Sequence, residues 1–263
     1  MSDRLDLRAT IDSGHAELVA DPGFPNGWTL IVNDVAQSYV DLAAPTRLPM
    51  MYARLLAAAG DVVATPRTPV KALHLGGGGL TIPRYLAATR PGSRQTVVEI
   101  DRGLVEFVSY GLPLSTADIT IVVGDAAEEI DVQPAQHFDL IYSDIYRGGD
   151  MPAAVAGIEF VTRAHACLAE HGLFVVNVLD ATGLLGTRRH TATLQRVFDH
   201  VVIVATPAML RGRRDGNVIV IASPKPISVD ALLSAAQRRQ APARVISGDA
   251  LASFVGATAP ISP

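Results

Sequence analysis

Apolar and polar positions alternate along the chain in two different rhythms, and the change falls near residues 65–69. Before it, Glu17 to Ala20 and Trp28 to Asn33 are short strand-like runs separated by Asp21-Pro22-Gly23-Phe24-Pro25-Asn26-Gly27, a dense turn signal. A small antiparallel β unit is the expected result, with Val35 to Asp41 as a further strand. Pro45 and Pro49 then break the chain, and the leucine- and alanine-rich stretch Met50 to Ala59 predicts a linking helix. Residues 1–65 are therefore expected to form an N-terminal β unit with its linking helix, and residues 66–263 a second domain.

Beyond Pro69, seven apolar runs are separated by helical stretches: Val70 to Leu75, Gln95 to Ile100, Ile119 to Val123, Phe138 to Ser143, Leu173 to Leu179, Val201 to Thr206 and Asn217 to Ala222. Runs so uniformly apolar suit strands covered on both faces, and Ile158 to His171 and Thr191 to Phe198 have the length of crossover helices. The pattern predicts an α/β fold with a doubly wound, seven-stranded, mostly parallel sheet. Pro207 to Gly216 is too short for a comfortable crossover, so the last two strands are expected to pair as an antiparallel hairpin. Ser228 to Gln240 reads as a serine-capped helix and Ala257 to Pro263 as a frayed tail.

Composition narrows the function classes. The 263 residues are 49% hydrophobic and 18% charged, as in globular proteins, with Lys+Arg 22 against Asp+Glu 26. A net charge of -4 provides no broad positive field for nucleic acid or an anionic membrane, and leaves cationic substrates open. No stretch approaches the roughly 20 apolar residues of a membrane span, and Met1 to Thr10 lacks the apolar run of a signal peptide. The single cysteine, Cys167, cannot form an internal disulfide, so a reducing, cytoplasmic location is expected.

The chemistry is expected at the ends of strands. Gly76-Gly77-Gly78-Gly79 follows the first strand of the second domain and leads to the helical segment Ile82 to Ala88. Such a loop either lets backbone approach a ligand at a helix N-terminus or is a plain tight turn. No Gly-Lys-Ser/Thr closes it, so the phosphate-loop reading fails. The second strand ends in Val97-Val98-Glu99-Ile100-Asp101, where an acid can accept from ribose hydroxyls, or else cap the next helix or face solvent. Gly loop and acid together point to an adenosine-containing cofactor. Asp125 and Ala126, after Val123-Gly124, stand where an acid can meet an adenine amino group or cap a short helix. Asp144 ends Phe138-Asp139-Leu140-Ile141-Tyr142-Ser143-Asp144 at the ligand-binding edge and is the best candidate base, whereas Asp139 begins the strand on the far side. Four converging acids favour a sulfonium cofactor and an amine acceptor, both cationic in the ground state.

In order and spacing, Asp34-Val35-Ala36-Gln37-Ser38-Tyr39-Val40-Asp41, Tyr52, the Gly76 loop, Val98-Glu99-Ile100-Asp101, Gly124-Asp125 and the strand ending at Asp144 resemble the spermidine synthase family of aminopropyltransferases, which share the class I S-adenosylmethionine-dependent methyltransferase fold. The resemblance runs from about Glu17 to Ala222. It implies that Gly76 to Gly78 border the aminopropyl-sulfonium part of decarboxylated S-adenosylmethionine, Glu99 binds ribose, Asp125 meets adenine and Asp144 deprotonates the attacking amine. It also implies that Gln37 and Tyr52 face the acceptor, a small-molecule amine, and that Tyr146 and Arg147 join the substrate side. The β unit would serve a homodimer or homotetramer.

Four positions depart from the family pattern. Gly79 stands where the family's loop acid holds the amino group of the aminopropyl arm, Arg147 where a second Asp binds the diamine, and Ala53 and Arg54 where Gln and Glu commonly follow the tyrosine. A like-charge contact between Arg147 and a dication opposes binding by roughly 4 kcal/mol at an effective dielectric of about 20, unless Arg147 points away or Asp150, carried inward by the Gly148-Gly149 turn, partly compensates. Without the loop acid, intact S-adenosylmethionine becomes more plausible, so the alternatives are a methyltransferase on another acceptor and a non-catalytic nucleoside-binding homologue. The seven histidines show no zinc-ligand spacing beside cysteine, so no metal is expected, and His74 and Cys167 read as core residues. Arg188-Arg189 and Arg211 to Arg214 read as solvated clusters.

Overall fold

The computed structural model describes residues 6–116, 118–146, 151–212 and 214–262. An antiparallel meander opens the chain: β1 (Leu7–Ile11), β2 (Gly14–Ala20), β3 (Gly27–Val32) and β4 (Val35–Asp41) lie in that order. β1 is an addition to the strands read from the sequence. The β3–β4 turn is the two-residue Asn33-Asp34 loop, both residues at positive φ, which matches the twist of a tight hairpin. Ala16, Leu18, Leu30 and Val40 turn inward onto Leu104, Phe107 and Leu112 of the second domain, making one continuous core.

α1 (Met51–Val62) follows, and then a repeating strand and helix order: β5 (Lys71–Leu75), α2 (Thr81–Thr89), β6 (Arg94–Glu99), α3 (Arg102–Gly111), β7 (Ile119–Val123), α4 (Ala126–Glu129), β8 (Phe138–Ser143), α5 (Ile158–Cys167), β9 (Leu168–Asp180), α6 (Leu185–Leu194), β10 (His200–Ala205), α7 (Pro207–Leu210), β11 (Gly216–Ser223), α8 (Val229–Arg238), β12 (Arg244–Ile246) and α9 (Gly248–Val255). The sheet order is β12-β10-β11-β9-β8-β5-β6-β7. All seven strands read from the sequence are present, and β12 adds a short eighth at one edge. The pairings among β7, β6, β5, β8 and β9 are parallel, while β11 runs antiparallel to both β9 and β10, as the short connection demands.

Alternate residues of the central strands feed different layers, which explains why the runs are apolar throughout. Leu73, Ile141, Phe174 and Val220 pack with the α5 and α6 side, whereas Leu140, Tyr142, Val175 and Ile219 pack under α1, α2 and α8. α1 thus covers the large sheet although it follows the meander directly. Buried Arg90 donates to the carbonyls of Gly60, Asp61, Ala64, Thr65 and Thr68, satisfying the end of α1 with one cation. Asp61 accepts from Arg239, which caps the end of α8, at 2.9 Å and from Tyr85 of α2 at 2.6 Å, tying three helices together.

Several boundaries differ from the sequence pattern. α5 stops at Cys167 because β9 begins at Leu168, and α6 starts at Leu185 rather than near Thr191. The C-terminal segment read as frayed is tied back, Ile261 N–H donating to Thr193 Oγ1 at 2.9 Å. Among the described residues no helix is long and apolar enough to cross a membrane, and no group of three His, Cys, Asp or Glu is placed to hold a metal ion.

Candidate active site

The order of the sheet reverses between β5 and β8, and the crevice outside the carboxyl ends of such strands is where α/β sheets bind ligands. The glycine loop leaves β5 there. Gly76 has φ +95, and a Cβ on it would lie 2.2 Å from the Asp144 carbonyl oxygen, so this position tolerates no side chain. The same close approach brings the loop against the end of β8, where Asp144 N–H donates to Leu75 O at 2.9 Å.

Glu99, at the end of β6, accepts from Gly77 N–H at 2.8 Å and Gly78 N–H at 3.3 Å through one oxygen, and from Asp101 N–H at 3.1 Å through the other. A carboxylate held by the loop it faces is in place to exchange those donors for ligand hydroxyls. Gly79 N–H donates to Ser38 Oγ of β4 at 3.1 Å, and a Cβ at Gly79 would come within 2.8 Å of the Ser38 Cβ. The N-terminal sheet thus fills the space a side chain at position 79 would need, which is the physical reason for the glycine.

Asp101 is 3% exposed and points away from the loop: it accepts from Asp12 N–H at 3.1 Å, Ser13 N–H at 2.8 Å and Leu104 N–H at 2.7 Å, capping α3 and anchoring the β1–β2 turn. Burial works to raise its carboxyl, but the bonds from Ser13, Leu104 and Asp12 outweigh burial and hold it below the ordinary range. Asp125 accepts from Ala127 N–H at 2.8 Å as the cap of α4, with Ala126 buried behind it.

Asp144 has a different environment. One carboxyl oxygen accepts from Asn177 Nδ2 of β9 at 2.8 Å, and Asn177 Oδ1 in turn accepts from Asn217 Nδ2 of β11 at 3.0 Å. Burial raises its pKa, the Asn177 bond lowers it and the Glu99 charge raises it again, leaving the group at about 6. A carboxylate poised there can take a proton near neutrality.

On the other wall, Tyr52 of α1 donates to the Gln37 carbonyl at 2.6 Å. Burial and then the Asp144 charge push its phenol up, so it stays a neutral donor. The Gln37 side chain is exposed, and its carbonyl is what meets Tyr52. Arg54 turns away, donating to the carbonyls of Leu48 and Gln240. Tyr146 donates to Asn177 O and accepts from Leu179 N–H, both at 2.5 Å, which pins the chain after Asp144 across β9. Arg147 and Asp150 lie outside the described residues.

The sequence reading picked out neither Ser38, Asn177 nor Asn217 individually. The signal for Asn177 was a lone amide inside the apolar run Leu173 to Leu179, because a buried polar group requires a partner. His74 and Cys167 are core residues: His74 bonds Gln95 at 2.9 Å and stacks on Tyr142, and Cys167 ends α5 with its thiol pushed up by burial. Asp139 accepts from Lys71 N–H at the opposite edge, where a hollow of about 350 Å³ among Lys71, Arg94, Thr120 and His137 is remote from the acids described.

No family profile matches the chain. It is 27% identical over 211 residues to a polyamine aminopropyltransferase of Neisseria meningitidis serogroup A, covering 78% of this chain and 76% of that protein. A crystal structure of a probable spermidine synthase from Corynebacterium glutamicum superposes with a TM-score of 0.90 at 29% identity, covering 98% of this chain and 96% of that one. Human methyltransferase-like protein 13, solved in complex with SAH, aligns with a TM-score of 0.53 at 22% identity over 78% of this chain and 90% of its own. The last likeness concerns the fold alone, a class I methyltransferase-like sheet.

Proposed function

We propose that the chain is a divergent member of the spermidine synthase family and that it transfers an aminopropyl group from decarboxylated S-adenosylmethionine to a small amine. The observation that carries the reading is Asp144: a half-buried carboxyl beside the glycine loop, raised to about 6 by desolvation, with the Glu99 charge adding to the rise. Gly76 to Gly79 and Glu99 hold the nucleoside, Asp125 and Ala126 border its adenine, and Asp101 positions Glu99 by supplying the N–H it accepts. Gln37, Tyr52 and Tyr146 form the acceptor side.

The reaction needs little covalent help from the protein. Asp144 takes a proton from the ammonium form of the acceptor, freeing its nitrogen lone pair. That lone pair attacks the carbon next to the sulfonium as the carbon–sulfur bond breaks toward sulfur, giving a neutral thioether, methylthioadenosine, and a cationic secondary amine. Alignment and a negative field that stabilises the bound cations do the rest. A homodimer or homotetramer working in the cytoplasm, as the resemblance implies, completes the proposal.

Gly79 favours a second reading, a methyltransferase using intact S-adenosylmethionine, since nothing acidic stands at that loop position. Calorimetry with S-adenosylmethionine, its decarboxylated form and methylthioadenosine, followed by product analysis with putrescine and other amines, separates the two. Preference for the decarboxylated form and release of methylthioadenosine is the expected outcome. Preference for the intact form with a methylated product would establish the second reading, and binding without any product would make the chain a non-catalytic nucleoside binder.

A further inference from the structure

Asn177 is 2% exposed, in the middle of the sheet, where an amide costs free energy unless both of its ends are bonded. Both are. Its Nδ2 donates to Asp144 Oδ1 at 2.8 Å and its Oδ1 accepts from Asn217 Nδ2 at 3.0 Å, so the residue just after β8 and one residue each of β9 and β11 form a continuous line of hydrogen bonds. The strand register explains the fit. Ser143 is opposite Val176, which sets Asp144 beside Asn177, and Ile219 is opposite Asn177, which leaves Asn217 diagonal to it on the same face.

We propose that Asn177, oriented by Asn217, is a positioning residue that fixes which oxygen of Asp144 receives the substrate proton. The amide occupies Oδ1, and no described residue bonds Oδ2, which is left to the acceptor amine. The proposal rests on the reading of Asp144 as the base. Asn217 gives the device its direction: with its Oδ1 accepting from Asn217 Nδ2, the Asn177 amide cannot turn its carbonyl toward the carboxylate without breaking that bond. Asn177 therefore presents a donor to Asp144, and a donor favours the ionised form.

The other groups around Asp144 supply no such help. Glu99 from β6 is acidic, Tyr52 from α1 and Tyr146 from the same loop are neutral phenols, and Asp180 at the end of β9 acts on Tyr146 from beyond it. Arg54 on α1 is engaged with backbone carbonyls. Asn177 is thus the one side-chain donor to Asp144 among the described residues.

The test is a carbon NMR titration of aspartate-labelled protein, with Asp144→Asn identifying the resonance, run beside the pH dependence of turnover. Replacing the donor in Asn177→Leu should raise the Asp144 midpoint by about one unit. Asn217→Ala, which leaves the Asp144 bond in place, should raise it by less, and Asn177→Gln should restore part of the shift. The acid limb of turnover should move with the carboxyl. An unchanged or lowered midpoint in folded Asn177→Leu overturns the proposal, and if that variant does not fold, an unchanged midpoint in Asn217→Ala does so. A raised midpoint in a protein that transfers nothing would sustain the relay and sink the aminopropyl reading, so the two failures are distinguishable.

Discussion

Two strand ends of the same sheet each carry an acid withdrawn from water, Asp144 beside the glycine loop and Asp101 turned away from it, and the two have opposite fates. Asp101, beyond β6, receives three backbone N–H bonds and is held below the ordinary range despite burial. Asp144, beyond β8, receives one side-chain amide bond and is raised to about 6. The difference lies in the donors. Where backbone donors saturate a carboxylate it becomes a fixed anion that joins elements, and where one donor leaves an oxygen free it becomes a group able to exchange a proton.

Substitutions can break this contrast. The largest effect is expected for Asp144→Asn, which should lower turnover by at least about a hundredfold, with methylthioadenosine affinity by calorimetry nearly unchanged. Asp101→Ala should leave two loop donors and a helix end unsatisfied and lower stability by about 2–3 kcal/mol in urea unfolding. Gly79→Ala forces its new methyl against Ser38 and should cost about 1–2 kcal/mol, a loss that Ser38→Gly in the same chain partly recovers. The two acids also differ in pH dependence. Because the folded Asp144 carboxyl is raised above its ordinary value near 4, its contribution to stability is present below about pH 4 and lost as pH rises through about 6. Wild type should therefore lose about 2 kcal/mol relative to Asp144→Asn between pH 4 and 7. Asp101 has the opposite sign: its contribution is present above about pH 4 and is lost as pH falls through its depressed folded value, so Asp101→Asn and wild type should converge in acid.

Much of this arrangement was legible in the sequence because uniformly apolar runs mark covered strands, and strand ends are where the motifs fell. The same reasoning passed over β1, whose alternation is masked by Asp3, Arg4, Asp6 and Arg8, and β12, which has only three residues. Asp101 could be read as ligand or cap from spacing alone, and only the turn at Asp12 and Ser13, 88 or 89 residues away in sequence, shows where its oxygens point. Ser38 and Asn217 were hidden for the same reason. Their partners are set by how the meander docks and by antiparallel register, which local patterns do not encode.

The central claim, that Asp144 accepts the acceptor's proton, is tested most directly by the pH dependence of kcat for methylthioadenosine release at saturating substrates. The account expects an acid limb with its midpoint near 6, at the same place for amines of different basicity. A limb that followed the amine instead, or the same profile in Asp144→Asn, would contradict it.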